Sequence, residues 1–112
     1  MSTIEVLEKH IIDQLDSIES AILVIGRENC QKCSEWQTEL RQWMESGNAP
    51  STLRVFSVSL DSHIISDIVN TFDWIRRIDV LPMNVFLQHG LVQKQWAGGS
   101  IQRLSHRISR YV

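Results

Sequence analysis

The sequence predicts an α/β fold, a central mixed sheet of about four strands with helices on both faces, formed as one domain over residues 1–112. Three observations carry this. Segments with apolar residues three and four apart alternate with short β-branched runs. One run, Ala21-Ile22-Leu23-Val24-Ile25, is apolar at every position, which marks a strand buried on both faces. Two later runs meet across Gln88-His89-Gly90, a connection short enough for a hairpin, so they should be antiparallel, whereas strands joined through helices should be parallel.

The expected order is α, β, α, β, α, β, β, α. Thr3 to Ile18 places Ile4, Leu7, Ile11, Ile12, Leu15 and Ile18 at helical spacing, and Ser2 or Thr3 can cap that helix. His10, beside Lys9, reads as a solvated or edge-packed imidazole. Asp16-Ser17 and Glu19-Ser20 end the pattern before the apolar strand. Gly26-Arg27-Glu28-Asn29 then leads into a second helix, with Asn29 suited to cap it, Gly47 to end it, and Trp36, Leu40, Trp43 and Met44 as its buried stripe. Beyond Asn48-Ala49-Pro50-Ser51, Leu53 to Leu60 reads as a second strand. Asp61 or Ser62 can cap a third helix that carries Ile64, Ile65, Ile68, Val69, Phe72 and Ile75 and ends at Arg76-Arg77. His63 reads as a surface residue. Met83 to Leu87 and Leu91 to Trp96 form the hairpin. Gly98-Gly99-Ser100 opens a last helix with Ile101, Leu104 and Ile108 on one face and Arg103, Arg107 and Arg110 on others; Arg107 and Arg110 read as complements to the helix dipole and aids to solubility rather than anion ligands.

With 43% hydrophobic and 21% charged residues, the chain can bury a real core. A net charge of −2 and a pI near 6.0 supply no bulk reason to expect nucleic acid or an anionic membrane as partner. No run of about 18 apolar residues could span a bilayer. Met1-Ser2-Thr3-Ile4-Glu5 lacks the basic start and apolar core of a signal peptide, so a cytoplasmic location is expected. Two cysteines are too few for a disulfide framework or a four-thiolate zinc site. A metal would need further ligands from His10, His63, His89 or His106, none at a motif spacing from the cysteines, so neither metal nor cofactor is expected.

Cys30-Gln31-Lys32-Cys33 lies where the apolar strand gives way to a helix. Closing so short a loop adds little stability, which makes structure a poor reason for the pair. At a helix start the backbone N–H groups lack intrahelical partners and the dipole is positive, so a thiolate at Cys30 is favoured over its thiol. Cys30 is therefore the candidate nucleophile. Lys32 favours that thiolate, Glu28 and Glu35 oppose it, and the sign of their sum stays open. Trp36, three residues past Cys33, is mainly a core residue but close enough to modulate the pair.

This motif, the lone Val80-Leu81-Pro82 before the hairpin, and Gly98-Gly99 before the final helix together resemble the thioredoxin family, over nearly the whole chain. The hairpin, from Pro82 to Gly98, resembles thioredoxin more than glutaredoxin in length. The resemblance implies a thioredoxin fold, a cis bond before Pro82, Pro82 against the cysteine pair, and a Leu81 backbone exposed to an extended substrate segment. It also implies that Gly98 and Gly99 form a flat docking surface, which competes evenly with a simple tight turn. The implied activity is thiol-disulfide exchange on protein disulfides, Cys30 attacking and Cys33 resolving, with a reductase or other redox partner. A monomer acting on neither nucleic acid nor membrane is expected. The chain departs from the family in having Asn29-Cys30-Gln31-Lys32-Cys33 for the usual Trp-Cys-Gly-Pro-Cys, Val24 where a buried acid is usual, and Met83 after the proline. Those departures motivate the alternative, a binding or assembly module of chaperone-like kind without redox turnover.

Overall fold

The computed structural model describes residues 3–112. In chain order they form β1 (Ile4–Val6), α1 (Lys9–Ile12), β2 (Ser20–Gly26), α2 (Gln31–Glu45), β3 (Leu53–Ser59), α3 (Ile64–Ile68), β4 (Met83–Gln88), β5 (Leu91–Ala97) and α4 (Ile101–Ile108), with 3-10 helices at Leu15–Ser17 and Asp73–Arg77. The apolar run becomes β2, buried at every position. It lies at the centre of a sheet ordered β1-β3-β2-β4-β5, in which β1, β3 and β2 are parallel to one another and β4 runs antiparallel to both its neighbours, β2 and β5.

Side chains alternate across the sheet, so β2 feeds two cores. Ala21, Leu23 and Ile25 pack with Phe56, Val58, Val85 and Leu87 beneath α1 and α3. Ile22 and Val24 pack with Val55, Phe86 and Trp96 beneath α2 and α4. The expected stripe of α2 is realised by Trp36, Leu40 and Met44, all buried, with Trp43 partly so. Gly47 takes φ 83 just past that helix, where a left-handed residue ends it. His89 (φ 50) and Gly90 (φ 79) form the two-residue hairpin turn, whose twist requires both to be left-handed.

The sheet has five strands rather than about four, because the N-terminal segment is not one helix. Ile4, Glu5 and Val6 pair with Val55, Phe56 and Ser57, and the Arg54 guanidinium forks onto the Glu5 carboxylate at 2.7 and 3.0 Å. That bond holds the Arg54 pKa above its ordinary value. Branching at Ile4 and Val6 favours extended backbone, and the outer edge of β3 has donors and acceptors to satisfy. Ser2 lies outside the described residues, and Thr3 precedes a strand rather than capping a helix. Leu7, Ile11, Ile12, Leu15 and Ile18 still enter the core as their spacing predicts.

The third helix is also shorter than expected. It stops at Ile68, and Phe72, at φ −132 and ψ 85, separates it from the 3-10 segment. Ile64, Ile65, Ile68, Val69, Asn70 and Thr71 are all modest helix formers, so packing decides where the helix ends. Arg107 departs from its solubilising role: it is half-buried, with its guanidinium carbon 5.7 Å from the centre of the Trp96 ring.

Two truncations separate the centre of the sheet from its rim. Leu23→Ala, at a fully buried site in β2, should lower unfolding free energy by about 2–5 kcal/mol. Leu91→Ala, at a residue 68% exposed on the outer strand, should change it by less than about 0.5 kcal/mol. Urea denaturation of both variants checks the contrast.

Candidate active site

β2 ends at Gly26, and the turn that follows is tied to the end of β3. Leu60 N–H donates to the Gly26 carbonyl and Glu28 N–H to Asp61 Oδ2, both at 2.8 Å. Asn29 adopts φ 59. It therefore does not cap α2; it supplies the left-handed residue that swings the chain into the helix, a conformation asparagine tolerates better than most. Cys30 is the cap instead, with extended backbone and with its Sγ accepting from Cys33 N–H at 3.2 Å. In the reduced chain the same N–H and the helix dipole would favour a thiolate on that sulfur.

Cys30 and Cys33 are joined by a disulfide, with Cα atoms 5.3 Å apart. Cys30 is partly exposed and Cys33 is buried. The inner cysteine fits because β2 ends in glycine: a Cβ on Gly26 would lie 3.0 Å from both Cβ and Sγ of Cys33. Val24, two residues earlier, is buried on the α2 side between Ser57 and Asn84, so that stretch of β2 presents no carboxylate to the pair.

Lys32, Glu35, Trp36 and Glu39 recur at the spacing of one helical face and line a groove of about 400 Å³. Leu81, Pro82, Gly98 and Gly99 form its other wall, and the Leu81–Pro82 peptide bond is cis. The structure thus brings Lys32, Trp36, Leu81, Pro82, Gly98 and Gly99 to one groove. The cysteines do not line it. Cys33 instead faces a second groove, of about 370 Å³, with Gly26, Ser34, Gln37, Ser57 and Ser59. α2 stands between the two grooves with the disulfide on its first turn.

The first groove is organised by Asn84, which the sequence reading passed over. Asn84 is fully buried; its Oδ1 accepts from Trp36 Nε1 at 2.7 Å, and its Nδ2 donates to the carbonyls of Gly98 at 2.8 Å and Trp96 at 3.3 Å. One amide therefore joins α2, the end of β5 and the glycine turn. The only signal in the sequence was a single asparagine inside an otherwise apolar strand. Gly98 takes φ 92 and donates to the Pro82 carbonyl at 2.8 Å, so the turn requires it. Gly99 lies so close to the indole that a Cβ there would meet Trp36 Cδ2 at 2.9 Å. Among the described residues no three His, Cys, Asp or Glu side chains converge as a metal site, and no helix is long and apolar enough to cross a membrane.

No protein-family model matches the sequence, and no curated protein does. Solved structures do resemble it. Thioredoxin O1 of Arabidopsis thaliana in its oxidised state superposes with a TM-score of 0.73 over 99% of this chain and 100% of its own, at 14% identity. The chain has the thioredoxin fold. Oxidised thioredoxin of Plasmodium falciparum gives 0.71 over 99% and 98% at 14% identity, and Trxlp of Edwardsiella tarda gives 0.70 over 93% and 96% at 19% identity. Within the thioredoxin fold, the disulfide at the start of α2 and the wall at Leu81–Pro82 flank the same end of the sheet, at the carboxyl ends of the parallel strands β2 and β3, where α/β folds commonly carry their sites.

Asn84→Leu should destabilise the chain by about 1–3 kcal/mol, because Trp36 Nε1 loses its acceptor in a dry interior. Trp36→Phe added to that variant should cost less than Trp36→Phe alone, by about 1 kcal/mol, since the orphaned donor is removed as well. A urea double-mutant cycle measures the coupling, and strictly additive costs would contradict the bond.

Proposed function

We propose that the chain is a thiol-disulfide oxidoreductase, most simply one that reduces protein disulfides through Cys30 and Cys33. The observation that carries this reading is the asymmetry of the pair: an outer cysteine that is partly exposed and whose sulfur receives a helix N–H, and an inner cysteine buried behind Gly26. With the pair reduced, the Cys30 thiolate attacks one sulfur of a substrate disulfide, and the other substrate sulfur leaves as a thiolate. Cys33, deprotonated, then attacks the Cys30 sulfur of the mixed disulfide and releases the second substrate thiol. The substrate gains two electrons, the pair closes as the Cys30–Cys33 disulfide, and the two cysteine protons end on the released thiols. A dithiol reductase or another redox partner reopens the pair.

The groove suits an extended substrate segment. Leu81 makes no backbone hydrogen bond among the described residues, so its N–H and C=O are available to pair with a passing chain. Pro82, Gly98 and Gly99 supply a wall with little side-chain bulk, while Lys32 and Trp36 bound the helix side. With Val24 in place of an acid behind the pair, Cys33 exchanges its proton through the groove that it lines with Ser34, Gln37, Ser57 and Ser59. A cytoplasmic setting, where dithiols are kept reduced, fits a chain whose cysteines form this one pair.

Cys33→Ser should accumulate mixed disulfides with protein substrates, visible as adducts on non-reducing gels that a thiol dissolves, whereas Cys30→Ser should form none. The equilibrium constant of the couple with glutathione then assigns its direction. A wild-type couple that exchanges with neither glutathione nor any protein disulfide would overturn the reading and leave the fold as a docking or assembly module.

A further inference from the structure

Charge along this chain is sharply divided. All 13 acidic residues fall at or before Asp79, and the charged side chains beyond it are Lys94, Arg103, Arg107 and Arg110. The fold gathers these on one surface. With His106 and Ser109, they line a groove of about 410 Å³ between β5 and α4. No carboxylate side chain lines it, and the ion pairs among the described residues, His10–Glu8, Arg54–Glu5 and Arg77–Asp73, include none of its cations. Two of the arginines are held in place by the protein itself. Arg103 Nη1 donates to the Ala97 carbonyl at 3.1 Å, and Arg107 lies over the Trp96 ring with its Nε buried and without an acceptor.

We infer that this groove docks an acidic peptide segment of the protein whose disulfide is exchanged at Cys30. The inference rests on the oxidoreductase reading for what the segment belongs to, and on the groove alone for its chemistry. Arg103, Arg107 and Arg110 are spaced along one face of α4 and the turn that follows it. Seven residues at helical rise span about 10 Å, so the positive charge forms a row rather than a point. A row matches several carboxylates on an extended chain; a single phosphate calls for donors that converge on it. A polynucleotide would have to continue across the acidic remainder of a chain whose pI is near 6.0, whereas nucleic-acid domains are as a rule strongly basic. The row also begins beside the groove of Trp36 and Pro82, since Ala97, the acceptor of Arg103, lines that groove together with Gly98. A partner with its disulfide at Cys30 can therefore lay a neighbouring acidic stretch along α4, which raises its encounter rate and selects it over neutral or basic competitors.

The test is a fluorescence-anisotropy titration of the full chain with a labelled glutamate-rich peptide and with the same peptide carrying glutamine for glutamate. Inorganic phosphate and a single-stranded oligonucleotide serve as competitors. The glutamate peptide should bind, more weakly as salt rises, and its glutamine counterpart should not. Lys94→Gln with Arg110→Gln removes two cations that hold no structural bond and should weaken binding about tenfold, leaving exchange with a small uncharged disulfide unchanged. Equal binding of the two peptides, binding of neither, or tighter binding of phosphate or oligonucleotide would each overturn the inference. Binding of the glutamate peptide to a chain that exchanges no disulfide would uphold the groove's ligand and overturn the oxidoreductase reading instead.

Discussion

β2 is enclosed by strands on both edges and helices over both faces, and the rest of the structure is arranged around that enclosure. No side chain on it meets water, so its only freedom is at its ends, and at Gly26 the chain must turn at once into α2. The absence of a Cβ at that residue lets the inner cysteine of the helix settle against the strand. The disulfide is thus placed by the packing of the sheet, with Cys33 buried against the strand and Cys30 partly exposed.

The wall opposite is held by a different kind of constraint. A polar side chain at the centre of a dry core has to be satisfied, and Asn84 is satisfied only when Trp36, Trp96 and Gly98 occupy their present positions. The amide converts a requirement for hydrogen bonding into a fixed distance between the cysteine helix and the glycine turn. Trp36 consequently belongs as much to the core as to the groove, and the groove owes its shape to the core behind it.

Charge supplies what the two grooves beside α2 do not. The groove between Trp36 and Pro82 carries Glu35 and Glu39 beside Lys32, a mixed set with little power to select by charge. The surface between β5 and α4 is of one sign. A docking contact there leaves the Cys30–Cys33 disulfide untouched, so selection by charge can reside in a region separate from the cysteine pair.

Much of this was legible in the residues alone. Cys30 and Cys33 at a helix start, the fully apolar β2, the stripe of α2, the hairpin at His89-Gly90 and the last helix each follow from local spacing over enough residues to define a period. β1 was not legible, because three residues are too few to show alternation and the free edge of β3 makes them a strand. Asn84 looked no different from a polar residue facing water until the register with Val24 and Trp96 turned it inward. The arginines of α4 showed their spacing but not their partner, since Lys94 joins them only when the helix packs on β5. The sequence by itself determined the core strand, the cysteine helix, the hairpin and the last helix, because those depend on neighbours along the chain. Which polar groups are buried, and which charges share a surface, was decided by contacts between residues far apart in it.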